Sequence, residues 1–154
     1  MEQSKFNKYF LILISFFVIY SCQYEWVEER RIYLNKFEFG LSVKDAFKLK
    51  SIKYFSQDSS NNNYTLNISN LKFKKKNFYG GSGARAQQIE IIGQLEYSFT
   101  DMTSNYGGKL EISGWIPVNE NNPQAEMTAQ QKMIEELEYL LLEDLLQEYW
   151  LIES

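Results

Sequence analysis

The residue types that usually carry catalysis near neutral pH are scarce in this chain. It has no histidine and one cysteine, Cys22. The usual general base is therefore missing, and so is the commonest metal ligand. Carboxylate pairs occur at Glu135–Glu136 and Glu143–Asp144, but they fall on the polar side of an amphipathic repeat and read as a solvated face. The stretch "YGGSGAR" lacks the Lys-Ser/Thr pair and the strand-to-helix setting of a phosphate loop, and it reads as a hairpin turn. One polar constellation remains. Lys72, Lys74, Lys75 and Lys76 crowd the end of a candidate strand, interleaved with Phe73, Phe78 and Tyr79, and Arg85 begins the next strand. Cations of this kind pair well with phosphate oxygens, and the rings offer apolar surface beside them. The competing use of the lysines is to guard a strand edge against aggregation. No metal site and no bound cofactor are expected.

The lone cysteine has a more specific setting. It ends the greasy run "LILISFFVIYSC", which is preceded by Lys5 and Lys8 and broken by the small residue Ser21. A basic start, a short apolar core and a small residue at the cut are the order of a secretory signal. The core is too short to span a bilayer comfortably, which takes about 20 apolar residues. "VIYSC" resembles a bacterial lipobox, so residues 1–21 are expected to be a signal peptide of lipoprotein type. Cleavage would leave Cys22 first, carrying diacylglycerol on sulfur and an acyl chain on nitrogen, and several chains anchor stably where one does not. Gln23 at the next position points to the outer membrane. Removing Glu2, Lys5 and Lys8 moves the formal charge from -4 to -5, which argues against a nucleic-acid partner.

The elements that must position the lysine cluster can be read in order. "RRIYLNKFEF" alternates as a strand with a slip near Asn35. "LSVKDAFKLKSIKYF" opens with Ser42 and Asp45 at a capping-box-like spacing and reads as a helix, although "LKSIKYF" also alternates as a strand. "YTLNISNLKFKKKNF" alternates with a parity change through Ser69 and Asn70, so a bulge is expected there. In "IEIIGQLEYSFTD" Ile89, Ile91, Gly93, Leu95, Tyr97 and Phe99 share one face, which is the pattern of a half-buried antiparallel strand. "KLEISGWIPV" repeats it through Leu110, Ile112, Gly114, Ile116 and Val118. Trp115 takes the opposite parity and is a candidate partner-interface anchor with Phe78 and Tyr79. Asn122-Pro123 opens a long helix with Met127, Ile134, Leu137, Leu141, Leu145 and Ile152 as its apolar stripe and Glu135, Glu136, Glu138, Glu143 and Glu148 on the polar side. That stripe must lie on the apolar sheet face. The expected fold of 22–154 is a single α+β domain, ordered β-α-β-β-β-α. It is a two-layer sandwich in which two helices pack a four-stranded, mostly antiparallel sheet.

With this order the chain resembles the LptE family of lipopolysaccharide-assembly lipoproteins. The stretches that carry the resemblance are "VIYSC", "YTLNISNLKF", "ARAQQIEIIGQLEYSFTD" and "NENNPQAEMTAQQKMIEELEYLLLEDLL". It implies a non-enzymatic outer-membrane lipoprotein on the periplasmic side. Such a protein plugs and supports an LptD-type β-barrel in lipopolysaccharide transport, with Lys72, Lys74, Lys75, Lys76 and Arg85 as candidate lipopolysaccharide contacts. Two other readings stay open. One is a lipid-anchored periplasmic binding or scaffold module that activates a cell-wall enzyme. The other is a periplasmic hydrolase using carboxylates alone, for which Glu90 and Glu96 are the residues to test.

Overall fold

Alternating apolar side chains commit the middle of the chain to long strands, and three-and-four spacing commits its end to one long helix. A computed structural model describes residues 32–58, 64–80, 86–119 and 121–153. The expected signal peptide 1–21, Cys22 and Arg85 lie outside them. The elements are β1 (Ile32–Leu34), β2 (Lys36–Phe39), α1 (Asp45–Ser51), β3 (Phe55–Gln57), β4 (Thr65–Tyr79), β5 (Ala86–Thr100), β6 (Asn105–Pro117) and α2 (Pro123–Glu153). A four-stranded sheet has the order β2-β4-β5-β6, parallel at β2–β4 and antiparallel elsewhere. The helices lie against one face of it. This is the expected α+β arrangement.

The expected irregularities are present. The first strand breaks at Asn35, so that β1 pairs with β3 in a small parallel sheet while β2 joins the large one. The register of β4 slips between Ile68 and Asn70. The expected stripe on β5 is its buried face: Ile91, Leu95 and Phe99 are fully enclosed. Asn122 caps α2, its Oδ1 accepting from the Ala125 N–H at 3.0 Å.

Three expectations need correction. Ser42 does not cap α1: the N-cap is Lys44, without a side-chain bond, and the Ser42 hydroxyl donates to the Ser69 carbonyl instead. "LKSIKYF" is split: α1 ends at Ser51, and Phe55 opens a strand buried against Ile32 and Leu34. On α2 Met127 is exposed, and Leu142 and Tyr149 join the buried stripe.

Close packing of α2 on the sheet depends on two glycines. A Cβ at Gly114 would collide with the Met133 sulfur, and one at Gly93 would sit 3.0 Å from Phe73 and 3.2 Å from Leu141. Lacking those carbons, the helix and the Phe73 ring settle directly on the backbones of β5 and β6. Core density of this kind leaves no room for an added methyl.

Candidate functional site

The β4–β5 hairpin carries the lysine cluster, and strand geometry divides it. Successive residues of a strand point to opposite faces. Lys72, Lys74 and Lys76 stand opposite Gln94, Ile92 and Glu90, on the sheet face that no helix covers. Lys75 points the other way, toward the helices, and its ammonium donates to the side-chain amide oxygen of Gln130. The cluster is therefore three cations on an open surface and one on the helical side. Among the described residues, Lys72, Lys74 and Lys76 make no ion pair.

Aromatic side chains sit beside them. The Phe78 and Trp115 ring centroids are 4.6 Å apart, and the Lys76 ammonium lies 4.6 Å from the Phe78 centroid. Across the sheet, Lys76, Glu90 and Trp115 form one row through the β4–β5–β6 register. Trp115 is 46% exposed, a large apolar area to leave in water. Tyr79 lies beyond a second register shift and is also exposed. Farther along the same face the charges are tied together. The Gln94 side-chain amide and Lys109 both reach the Glu111 carboxylate, and the hydrogen bond from Gln94 leads in holding that carboxyl below the usual range.

On the helical side a groove of about 670 Å³ runs between α1 and α2 above Lys75. Met127 and Ile134 give it apolar surface, and Lys44, Lys50 and Gln130 line it as well. At its inner end Lys50 and Glu138 form an ion pair at 2.7 Å. Glu138 was expected on the polar face of α2, but it is buried, and Lys50 from α1 neutralises it. The Lys50 ammonium also lies 4.8 Å from the centre of the Tyr139 ring. Nearer the chain's end, the Tyr97 hydroxyl donates to Glu148 at 2.9 Å. Burial, and then that hydrogen bond, push its phenol up to about 12. Sequence reading missed Glu138 and this Tyr97–Glu148 link, because each contact joins distant parts of the chain.

The carboxylates once considered for hydrolysis are placed apart. Glu90 and Glu96 share the open face of β5 at different rows, opposite Lys76 and Asn70. Glu135, Glu136 and Glu143 are exposed on α2. Among the described residues, no three His, Cys, Asp or Glu side chains gather as a metal site would require.

No protein-family model and no curated protein sequence matches the chain. Its fold is one found among small bacterial lipoproteins. It is similar to rare lipoprotein B of Shewanella oneidensis, with a TM-score of 0.62 at 12% identity over 77% of this chain and 96% of that one. An uncharacterized lipoprotein B from Nitrosomonas europaea gives 0.59 at 7% identity, covering 75% and 80%. A minor lipoprotein of Acinetobacter baumannii gives 0.54 at 11%, covering 75% and 88%. At these identities the shared property is the fold.

Proposed function

We propose that the chain is an outer-membrane lipoprotein of LptE type, tethered through acylated Cys22 on the periplasmic side. Its uncovered sheet face docks within an LptD-type β-barrel that inserts lipopolysaccharide. The observation that carries this reading is the open face itself. One side of the sheet carries the helices, while the other presents the Phe78–Trp115 pair beside three lysines that make no ion pair among the described residues. Exposed aromatics flanked by cations suit the centre of a protein contact, or a surface that meets phosphorylated sugars bearing acyl chains. The lipoproteins that share the fold support the same direction. In this reading the work is structural: the domain fills the barrel and helps guide its cargo, with no catalytic residue and no cofactor beyond the attached lipid. Arg85 completes the cationic hairpin in sequence.

Affinity purification of the acylated chain from detergent-solubilised outer membranes tests this. Recovery of a large β-barrel protein at comparable amounts is the expected outcome. Recovery of a peptidoglycan synthase without the barrel would favour the scaffold reading instead.

A further inference from the structure

The outer edge of β4 is paired over only part of its length. Strand β2 covers Thr65 to Ile68, and the chain then leaves the sheet at Gly40, whose N–H bonds the Ile68 carbonyl at 2.8 Å. From Asn70 to Tyr79 β4 pairs with β5 on one side and, among the described residues, with nothing on the other. A row of backbone donors and acceptors is left open there, which is the template used in strand addition.

Two further features say what fits that edge. The strand carries four lysines and no acidic residue, and among the described residues three of the lysines make no ion pair. A second copy of the same edge would set lysine against lysine, so self-pairing is disfavoured. An incoming acidic strand would meet opposite charge at alternate positions. The groove above Lys75 adds the second constraint. Side chains of an added strand that point toward the helices face this groove, where Met127, Ile134 and the Tyr139 ring offer apolar surface among charged and amide side chains such as Lys44, Lys75 and Glu135.

We infer that the β4 edge between Asn70 and Tyr79 is a strand-addition site for an extended protein segment that alternates carboxylate and apolar side chains. The carboxylates take Lys72, Lys74 and Lys76 on the open face, and the apolar side chains turn toward the helices, where they meet Met127 and Ile134 at the groove between α1 and α2. The inference shares Lys72, Lys74 and Lys76 with the barrel reading but adds the backbone edge and the helical side. A peptide bound by the isolated protein tests it without the barrel. It would hold for a partner of any fold that offers such a segment.

The test uses the full acylated chain in detergent micelles and a capped peptide of about nine residues alternating Glu and Val, long enough to span the edge. Two control peptides are used: the Lys-Val counterpart, and the acidic peptide with alternate amides N-methylated to remove its hydrogen-bonding edge. The acidic peptide is expected to bind at least about tenfold more tightly than either control. At saturation it should slow amide exchange of β4 between Asn70 and Tyr79 by a similar factor. In the variant Lys72→Glu/Lys74→Glu/Lys76→Glu the preference should reverse toward the Lys-Val peptide. Equal binding of the N-methylated peptide would overturn the inference, since charge alone would then suffice. Binding without added protection in β4 would overturn it as well. Both of these readouts use the unaltered protein and do not depend on the variant folding.

Discussion

The ion pair between Lys50 and Glu138 makes a sharp test of how the two helices are joined. The side chains are only 18% and 9% exposed and meet at 2.7 Å, across 88 residues of sequence. Removing one partner of a fully buried pair costs about 3–5 kcal/mol, because the other charge is left stranded. Lys50 keeps some water and the face of the Tyr139 ring, so Glu138→Gln is expected to cost less, about 1–3 kcal/mol. The matched control is Lys48–Asp45, at a similar 2.8 Å but with Asp45 92% exposed. Asp45→Asn should leave the unfolding midpoint almost where it is, because water screens so exposed a pair. Replacing both buried partners with apolar residues of similar size, Lys50→Met with Glu138→Leu, should recover most of the loss, leaving stability within about 1 kcal/mol of the parent. Urea unfolding followed by tryptophan fluorescence measures all four proteins, with a shifted midpoint at constant slope marking a true stability change. If Glu138→Gln were no more costly than Asp45→Asn, the pair would not be the buried tie between α1 and α2 described above.

Three other outcomes follow from the same geometry. Gly93→Val should destabilise the chain by about 1–3 kcal/mol, because the added carbons meet the Phe73 ring and the buried Leu141 between sheet and helix; the urea midpoint reads it directly. The Tyr97 phenol stays neutral in the fold up to about 12, whereas in the unfolded chain it ionises near 10. The unfolded state therefore loses its proton first, and stability falls as pH rises from about 10 to 12, by no more than about 2–3 kcal/mol from this group. Tyr97→Phe should remove that part of the alkaline slope, and an unchanged slope would refute the assignment. Changing Lys72, Lys74 and Lys76 together to Gln should cut lipopolysaccharide binding by about tenfold or more. Lys75→Gln, on the helical side, should change it little; an equal loss from Lys75 would contradict the division of the cluster.

Much of the frame was legible because it rests on short-range rules. The β5 alternation from Ile89 to Phe99, the bulge beside Ser69, the slip at Asn35 and the Asn122-Pro123 helix start are all written in neighbouring residues. Strand parity sets Lys75 apart from Lys74 and Lys76, a division that reading the four lysines as one cluster overlooked. Other features depend on distant partners. Glu138 looked like one more solvated carboxylate until α1 brought Lys50 to it. Phe55 begins a strand because Ile32 and Leu34 lie alongside it, which local periodicity does not reveal. Ser42 had the spacing of a cap, yet the turn at Gly40 directs its hydroxyl to the β4 bulge. The open edge of β4 likewise follows from where β2 stops.

The central claim is that the uncovered sheet face, and not the helical side, meets the outer-membrane barrel. A photo-crosslinking residue placed at Trp115, or separately at Leu49 on α1, tests it in living cells; both sites are exposed. The account expects an adduct with a large β-barrel protein from position 115 and none from position 49. An adduct from position 49 with none from position 115 would contradict it.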